Sequence, residues 1–531
     1  NKYKIYDILN NKPLLISTDN RSSAIAVRAN TLYPGGSLGL NLTGSGMTVG
    51  IWDGGWALVN HQEFLNGTVT RITTPDNPAV IPTADFHASH VVGTVGASGI
   101  NTNAKGMAYQ SNLLSYNWTN DNTEVISEVS NNALLLSNHS YGIPIYSDNG
   151  TQNAPDWMMG CYNTDAQEWD QIAFNAPYYL QVTSANNAGS DSYSNGLGAG
   201  LDKLTGEKNS KNNLVVANAN PTVHPITGVI QNLVINPSSS QGPSDDGRIK
   251  PDITADGTNV FSTSNENTTA YATATGTSMA SPSVAGTLLL VQQHYNNLKS
   301  NFMKSATLKG LVCHTALDDS NLAGPDPIFG WGLLDAREAA NLITNSNNAT
   351  PTAIISENNL TLNQTYTFNV MVSNPQLLKA TICWTDPAGS SKNGQLNATS
   401  PALKHDLDLR IIKDTEINFP WKLQLSNLTA PAIKGDNLVD NVEKVEVENA
   451  LGSYTIQVKH KGFLVGGSQN YSLIISGFDQ TLDSGNFDLK NVSVFPNPTN
   501  DILNINSVND SIISYDIYDL QGRKVGTNKI S

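Results

Sequence analysis

The sequence predicts an α/β domain with a mostly parallel sheet, followed by an all-β sandwich and a small β module. Three observations carry this prediction. Short apolar runs alternate with stretches of helical period from about Met47 to Ala340, a polar segment ending in Pro351 follows, and the pattern then becomes strand-like. With 531 residues, 39% of them hydrophobic, the chain is long enough for about two to four domains with sizeable cores.

In the first part, five apolar runs are typical of buried strands, and amphipathic stretches long enough for crossover helices follow several of them. The runs are Met47–Trp52, Leu113–Trp118, Ala133–Ser137, Tyr178–Thr183 and Leu214–Ala217. Strands that alternate with helices predict a mostly parallel sheet at the centre of the domain.

From about Thr352 to Phe478, short strand-like runs are separated by turns, which predicts a β-sandwich or jelly roll. The runs are Thr365–Val372, Ala380–Trp384, Leu407–Ile412, Val442–Val447, Tyr454–Lys459 and Tyr471–Ile475. A second boundary lies in Asp479–Phe487, after which alternating strands resume. We therefore predict an N-terminal segment (1–22), an α/β domain (23–345), a β-sandwich (352–478) and a small β module (488–531).

Charge and hydropathy exclude several classes of partner. Lys plus Arg number 30 and Asp plus Glu 45, which gives a net charge of −15 at pH 7. Such a field repels phosphate backbones, so we expect no nucleic acid partner. No apolar run approaches the roughly 20 residues that span a bilayer, so we expect no transmembrane segment. We expect a monomer.

Two sequence blocks hold candidate acids and bases. Asp53 directly follows the first apolar run, which places a carboxylate at the edge where open α/β sheets bind ligands. A solvated turn residue is the alternative. His87 and His90 lie three residues apart at the start of a predicted helix and could share a metal. Since no third ligand has the spacing of a metal site, one catalytic histidine, with His90 structural, is favoured.

A third block, Gly276–Gly286, is a glycine-rich turn that leads into an apolar helix. Ser278 at the start of this helix is either an N-cap, the commoner role for such a serine, or a nucleophile. Gly276 permits close approach of a substrate backbone, and the helix dipole favours the negative charge that develops during acyl transfer. These two features favour the nucleophile.

Together the blocks resemble the subtilisin-like serine proteases. The chain order Asp53, His87, Ser278 is the order of that family. Gly276–Pro282 matches its G-T-S-M-A-x-P motif, and the block from His87 resembles H-G-T-H-V-x-G-T with Ala-Ser in place of Gly-Thr. The resemblance implies a three-layer subtilisin-like domain in which Ser278 is the nucleophile, His87 the general base and acid, and Asp53 the residue that orients the histidine.

A fourth block, Ser184–Gly189, stands where subtilases carry A-G-N-x-G. The resemblance implies that Asn187 donates a hydrogen bond to the oxyanion. Asn186 takes the place of the family's glycine, and asparagine tolerates a left-handed backbone. This departure leaves open which of the two amides points inward.

Ser140, Tyr141 and Gly142 resemble the strand-end segment of the family, which pairs with the substrate backbone and walls the pocket for the residue before the scissile bond. An ordinary strand end is the alternative. Ser240–Pro243 and Ile249–Ile253 resemble two blocks that precede the serine in this family, and we expect them to shape the fold more than the chemistry.

The β-sandwich resembles the jelly-roll domain that follows the catalytic domain in a group of large subtilases. Asp406 and Asp408 alternate on a predicted strand, and Asp440 lies on a nearby loop. These carboxylates are candidate ligands for a structural Ca²⁺, a hard cation that takes about six to eight oxygens. A solvated acidic rim is the alternative. We expect no cofactor for catalysis.

The last segment, with Val494–Pro498 and later Asp519–Gly522, resembles the C-terminal sorting domain of proteins secreted by the Bacteroidetes type IX system. This implies a secreted protein, extracellular or attached to the cell surface, and the type IX machinery as a partner. The chain stops at Ser531, sooner after these motifs than is usual, which leaves open a truncated tail.

The sequence thus predicts a secreted serine endopeptidase that hydrolyses peptide bonds through an acyl-enzyme on Ser278. The alternative is an inactive subtilase-like protein that binds a surface. The presence of Asp53, His87, Asn187 and Ser278 together favours activity, because a decayed enzyme would usually have lost one of them.

Overall fold

A computed structural model of the chain describes residues 4–9, 12–16, 20–77, 83–223, 229–318, 322–482, 492–495, 504–507, 514–518 and 524–529. The chain divides into two compact units, Asn1–Gln480 and Thr481–Ser531. Within the described ranges, no helix combines the length and the apolar character needed to cross a membrane.

Strands and helices alternate through the first part of the larger unit. The strands are β1 (Lys4–Leu9), β2 (Lys12–Ile16), β3 (Thr48–Asp53), β4 (Leu65–Asn66), β5 (Val69–Thr70), β6 (Ile72–Thr73), β7 (Asn112–Asn117), β8 (Leu136–His139), β9 (Leu180–Ser184), β10 (Leu214–Ala219), β11 (Thr222–Val223), β12 (Ile230–Asn232), β13 (Ile253–Asp256), β14 (Val260–Thr263) and β15 (Tyr271–Ala274). The helices are α1 (Asn20–Ala26), α2 (Phe86–Gly96), α3 (Asp121–Asn132), α4 (Thr164–Asn175), α5 (Thr277–Lys299), α6 (Ser305–Thr315) and α7 (Ala336–Ser346).

Seven of these strands form one sheet in the order β13-β10-β9-β8-β3-β7-β6, and all neighbouring pairs are parallel. The prediction of a mostly parallel sheet is confirmed. The predicted bounds differ slightly from the observed ones, and β3 ends on Asp53 itself. The carboxylate is therefore held by the sheet and not by a turn after it.

Helices cover both faces of the sheet, as a parallel sheet requires. Val49 and Ile51 of β3 point into the main core, to which α2 and α5 also contribute. Trp52 points to the opposite face and packs with Val125 of α3 and Trp169 of α4. The alternation of side chains along one strand thus produces the predicted three layers.

The strand order places a ligand site at one edge of the sheet. β3 lies between β7 and β8, so the chain runs in opposite directions across the sheet on the two sides of β3. At such a switch point the loops after adjacent strands separate and leave a crevice at the carboxyl ends. Asp53 ends β3 at this edge, and Ser140 directly follows β8.

An antiparallel β-region follows α7. Its strands are β16 (Ala353–Thr361), β17 (Tyr366–Cys383), β18 (Asp406–Lys413), β19 (Glu416–Asn418), β20 (Trp421–Lys422), β21 (Ile433–Lys434), β22 (Val442–Lys461), β23 (Ser468–Ser476) and β24 (Gln480–Thr481). The main sheet has the order β16-β23-β17-β22-β18-β19. The antiparallel β-rich fold agrees with the prediction, while the jelly-roll connectivity stays a prediction.

The prediction of two short strands at 365–372 and 380–384 was wrong, because one long strand, β17, spans both. Pro375 lies between the two predicted strands, and proline cannot donate to a sheet. In the structure, the register with β22 shifts between Val372 and Leu378, so Pro375 falls in a bulge and pairing resumes beyond it. β22 likewise joins two predicted strands into one.

The β-region packs directly on the α/β part of the larger unit. Ala353 of β16 and Ile474 of β23 belong to the main core of the parallel sheet. His314 of α6 hydrogen-bonds through both ring nitrogens, to Thr381 at 2.9 Å and to Ser476 at 2.8 Å. The two parts therefore share buried contacts, and the predicted domain boundaries stay predictions.

The described residues of the smaller unit form two antiparallel strand pairs. They are formed by β25 (Val492–Phe495), β26 (Asn504–Ser507), β27 (Ser514–Tyr518) and β28 (Lys524–Lys529). Residues 496–498 of the first sorting motif and residues 519–522 of the second lie outside the described ranges.

Candidate active site

Asp53 and His87 meet at the carboxyl edge of the sheet. Nδ1 of His87 lies 2.7 Å from Oδ1 of Asp53, which also accepts the backbone N–H of Gly54 at 2.7 Å. The Asp53 side chain is 2% exposed and that of His87 is 38% exposed. Oδ2 of Asp53 is buried and has no hydrogen-bond partner among the residues that the structure describes. The aspartate is thus enclosed, whereas one side of the imidazole faces solvent.

The environment shifts the pKa values of both groups. Burial raises the pKa of Asp53 above its usual range, against the opposing effects of His87 and of the Gly54 N–H. Burial lowers the pKa of His87, but the hydrogen bond and the negative charge of Asp53 raise it by more, so it lies above the ordinary histidine value. The pair therefore favours a proton on the imidazole.

Ser278 is the second residue of α5 and lies close to the end of β8. Its hydroxyl donates to the carbonyl oxygen of Ser140 at 3.1 Å, and the hydroxyl of Ser140 donates to the carbonyl oxygen of Ser278 at 3.2 Å. Among the described side chains, Ser278 and His87 form no hydrogen bond with each other. Proton transfer to His87 requires the serine hydroxyl to rotate away from Ser140.

Pro282 explains why the Ser278 carbonyl can accept this bond. In an α-helix the N–H four residues later would occupy that carbonyl, but proline has no N–H. Pro282 lies inside α5, four residues after Ser278. The hydroxyl of Ser140 fills the vacant acceptor position at 3.2 Å. The proline of the serine block thereby ties the first turn of the helix to the neighbouring strand end.

Asn187 lies beside the start of the same helix. Its Oδ1 accepts the backbone N–H of Thr277 at 2.9 Å and the hydroxyl of Thr277 at 3.2 Å. Gly276, the N-cap residue, provides no side chain for this purpose. Since the oxygen is anchored on α5, the exposed Nδ2 remains as a donor. The backbone N–H of Ser278 is one of the first helical donors and has no acceptor within its own helix.

Asn186 adopts φ 75°, the left-handed conformation for which the family uses glycine. Its Nδ2 donates to the Ile143 carbonyl at 3.3 Å and to Thr205 Oγ1 at 2.9 Å. The structure thus directs the amide of Asn186 away from α5 and that of Asn187 towards it. Ser240 holds this turn, because its backbone N–H donates to the Asn186 carbonyl at 3.0 Å.

The predicted substrate-binding segment follows β8. Ser140 is buried, whereas Tyr141 is half-buried and Gly142 is exposed. The hydroxyl of Tyr141 donates to Asp121 at 2.5 Å, and His139 Nδ1 lies 2.7 Å from the same hydroxyl. This side chain is held from two sides, which fixes the backbone of the segment next to Ser278.

His90 is fully buried and takes no part in the cluster. Its Nε2 lies 3.1 Å from the Val260 carbonyl oxygen. Burial lowers the pKa of His90 to about 4. The ring is therefore neutral near pH 7. Its contact from α2 to the backbone of β14 agrees with a structural role.

Sequence reasoning missed two residues beside the site. Asp85 is the N-cap of α2, and its Oδ1 accepts the Ala88 N–H at 2.9 Å, which fixes the helix that carries His87. A capping pattern of Asp before an apolar run could have revealed it. Trp118 is 48% exposed and covers Gly54 directly after Asp53. Trp118 lies at the end of a predicted strand, and no sequence pattern there indicated that it lies beside the site.

The three candidate calcium ligands do not form one cluster. Asp408 Oδ1 accepts from Arg410 at 2.9 Å and from Lys461 at 2.7 Å, and Lys461 also pairs with Asp406 at 3.7 Å. Asp440 instead accepts the backbone N–H of Ile249 at 2.9 Å. Across the described part of the chain, no three His, Cys, Asp or Glu side chains are grouped to hold a metal. Calcium binding at these residues stays a prediction.

The cluster has the groups that acyl transfer needs. A serine hydroxyl stands at a helix N-terminus next to the end of β8, a histidine is paired with a buried carboxylate at the end of the neighbouring strand β3, and an asparagine amide contacts the start of the serine's helix. Such a set can activate a hydroxyl nucleophile and stabilise a developing oxyanion.

Comparison with known families agrees with this geometry. Residues 44–332, just over half of the chain, match the family model described as Subtilase family. Residues 493–531 match the secretion system C-terminal sorting domain. The tail is thus a type IX sorting domain, and the protein is secreted or attached to the cell surface.

Among individual proteins, the chain is 33% identical over 135 residues to the PII-type proteinase of Lacticaseibacillus paracasei, covering 23% of this chain and 7% of that protein. It is 25% identical over 300 residues to the serine protease AprX of Bacillus subtilis, covering 51% of this chain and 62% of that protein. The chain thus spans less than two thirds of either relative. A solved structure, the S41 psychrophilic protease, is 20% identical, with a TM-score of 0.40 and coverage of 58% of this chain and 97% of that chain.

Proposed function

Because the chain belongs to the subtilase family, we propose that it is a secreted serine endopeptidase whose catalytic residues are Ser278, His87 and Asp53. The observation that carries the proposal is the 2.7 Å contact between His87 and the buried Asp53, at the same sheet edge as a serine on a helix N-terminus. The names of the similar proteins, a proteinase and a serine protease, support the same activity class.

In the proposed mechanism, the Ser278 hydroxyl leaves the Ser140 carbonyl and gives its proton to Nε2 of neutral His87 while Oγ attacks the peptide carbonyl carbon. The Asp53 carboxylate accepts a hydrogen bond from the Nδ1–H of His87, which fixes the tautomer, and its negative charge stabilises the imidazolium. The imidazolium then protonates the leaving amine, the C–N bond breaks and an acyl-enzyme remains. Water, deprotonated by His87, hydrolyses the ester and restores the serine.

The negative oxygen of the tetrahedral intermediate needs donors that are already in place. Nδ2 of Asn187 and the backbone N–H of Ser278 fill this role in the proposal. The oxygen of the Asn187 amide is occupied by Thr277, at 2.9 Å, so the amide does not have to reorient during the reaction.

Labelling of the full chain with a fluorophosphonate, combined with a casein digest, tests the proposal. We expect labelling of Ser278 and cleavage of casein, and Ser278→Ala should lower kcat on the order of 10⁶-fold. Ser283→Ala is the matched control, since that hydroxyl is also buried in α5 but bonds only to the Ala280 carbonyl. Folded protein that neither reacts with the probe nor cleaves casein would support the alternative, an inactive surface-binding protein.

We further propose that the type IX machinery recognises the tail and that the tail has no part in turnover. Asp53, His87, Asn187 and Ser278 all lie in the larger unit. A chain ending at Phe478 should keep its kcat but stay in the periplasm of its host. Normal export of that chain would exclude the sorting role.

A further inference from the structure

A side chain fills the gap between the two segments that flank Ser278. One segment, Ser140–Gly142, follows β8, and the other, which contains Asn186, follows the adjacent strand β9. A Cβ atom built on Gly142 would lie 2.5 Å from Oδ1 of Asn186 and 2.5 Å from Nζ of Lys208. The gap is therefore closed at Gly142 by two polar side chains.

Asn186 is fixed in this position. Its φ of 75° places it in the left-handed region, which asparagine adopts more readily than most residues. Its Nδ2 bonds to the Ile143 carbonyl and to Thr205 Oγ1, and the Thr205 hydroxyl donates to the same carbonyl at 2.7 Å. Moving the side chain out of the gap would break two hydrogen bonds, so a substrate side chain does not displace it freely.

Lys208 also packs against Gly142, but its ammonium group is not available to pair with a ligand. Its side chain is fully buried, and Nζ donates to the Tyr141 carbonyl at 2.8 Å. Glu207 pairs with the same ammonium group and neutralises it. An acidic substrate side chain would have to compete with Glu207 for this cation.

The position of a bound peptide follows from the chemistry already proposed, on which this inference rests. The carbonyl carbon before the scissile bond must reach Ser278 Oγ, and its oxygen must face Asn187 Nδ2. The side chain on that residue then projects between the two flanking segments, into the gap that Asn186 occupies. We infer that Asn186 is the specificity-determining residue and restricts cleavage to peptide bonds that follow glycine, alanine or serine.

The test uses the full chain and a series of peptides that differ only in the residue before the scissile bond: Gly, Ala, Ser, Leu, Phe or Glu. We expect kcat/KM for Ala to exceed that for Phe by at least about tenfold, the scale on which pocket size discriminates side chains. Asn186→Gly should raise kcat/KM for Leu and Phe by about tenfold and change that for Ala by less than about threefold.

Asn363→Gly is the matched control. Asn363 also has a left-handed backbone, with φ 65°, and lies exposed in a turn of the β-region. The control should leave the peptide profile unchanged. Asn186→Ala, which retains Cβ, should give an intermediate profile and replaces the glycine variant if that variant does not fold.

Two outcomes would overturn the inference while leaving the proposed function intact. One is a wild-type enzyme that reacts with fluorophosphonate but prefers Leu, Phe or Glu. The other is a folded, active Asn186→Gly variant whose profile equals that of the wild type. Loss of both labelling and cleavage in the wild type is a different result, which would overturn the proposed function together with this inference.

Discussion

Two of the sets of buried ionisable side chains in the larger unit differ in how completely they are paired. The candidate active site contains Asp53, with one oxygen unpartnered, and a partly exposed His87. The second set, here called the charged seam, lies between the parallel sheet and the β-region. It consists of Asp170, Lys211, Lys250, Asp252, Lys309 and Asp386.

Every carboxylate oxygen of the seam has a partner. Lys211 bridges Asp170 at 2.6 Å and Asp386 at 3.5 Å, and Asp252 pairs with Lys250 at 2.6 Å and Lys309 at 2.8 Å. Backbone N–H groups complete both sites, including those of residues 404 and 405 on Asp386. Fully paired buried charges thus hold two parts of the chain together, whereas an incompletely paired carboxylate remains free to exchange a proton with its partner.

The sharpest test of this contrast is Asp53→Asn. The amide would donate to Nδ1 of His87 and favour the wrong tautomer, so we expect kcat to fall about 10⁴-fold. The melting temperature should not fall, because the substitution also removes a buried charge with an unpartnered oxygen. Kinetics and thermal melting of Asp148→Asn, an exposed loop control, should match the wild type.

A substitution in the charged seam should instead lower the stability and leave kcat nearly unchanged. Asp386→Ala removes one partner of Lys211 and takes the acceptor from the buried backbone N–H of His405 and from the part-buried N–H of Lys404. We expect the free energy of unfolding, measured in urea, to fall by about 3–5 kcal/mol. The kcat of the folded fraction should stay within about threefold. Glu448→Ala, at an exposed carboxylate of β22, is the control. A large loss of kcat in folded Asp386→Ala would contradict the separation of the two sets.

Within the site, Asn187 should matter less than Asp53. Asn187→Ala removes one donor to the oxyanion, and we expect kcat to fall about 10²- to 10³-fold with little change in KM. Thr277→Val removes only the hydroxyl that donates to Asn187 at 3.2 Å. Its kcat should stay within about threefold. Equal losses in the two variants would mean that Asn187 acts by holding the helix and not by binding the oxyanion.

The pH profile measures the pairing of Asp53 and His87 directly. Protonated His87 cannot accept the serine proton, so kcat/KM should fall about tenfold for each pH unit below its pKa. Since that pKa is raised, the midpoint should lie above about 6.5, the ordinary histidine value. The residual activity of Asp53→Asn should have its midpoint at lower pH, because burial alone lowers the pKa of His87. A wild-type midpoint below 6 would contradict the pairing.

Metal removal should have the smallest effect. If calcium binds near Asp406, Asp408 and Asp440, excess chelator should lower the melting temperature relative to excess calcium. Because Lys461 and Arg410 already pair with Asp408, we expect a fall of only about 2–4 °C. An Asp406→Asn, Asp408→Asn double variant should lose this difference. Superimposable melting curves of the wild type would refute the calcium prediction.

The sequence was sufficient to predict the parallel sheet and the contact between Asp53 and His87, while the catalytic roles of Asp53, His87 and Ser278 stay predictions. Each lies in a contiguous block whose residue types serve both the chemistry and the local structure, so a short window contains the information. The structure adds the contacts between residues that are far apart in the sequence. Ser278 bonds to Ser140, 138 residues away, and not to His87.

The seam could not have been predicted for the same reason. Lys211 pairs with Asp170, which lies 41 residues away in the sequence. The backbone N–H of Asp386 donates to Asn212, which lies 174 residues away. In the sequence, Asp170 lies in an amphipathic helical stretch and Lys211 and Asn212 lie in a polar stretch typical of a solvated loop, so no local pattern indicates that they pair. Only the packing of the β-region on the parallel sheet removes them from water and makes their pairing necessary.

The paired hydrogen bonds between Ser140 and Ser278 have a dynamic consequence. Helix ends usually fray, because their terminal groups lack partners within the helix. Ser278 stands in the first turn of α5, where fraying is greatest. The carbonyl released by Pro282 lets Ser140 hold that turn by two bonds, at 3.1 and 3.2 Å. The serine at the helix end is therefore tied to the central sheet, which also carries Asp53 at the end of β3.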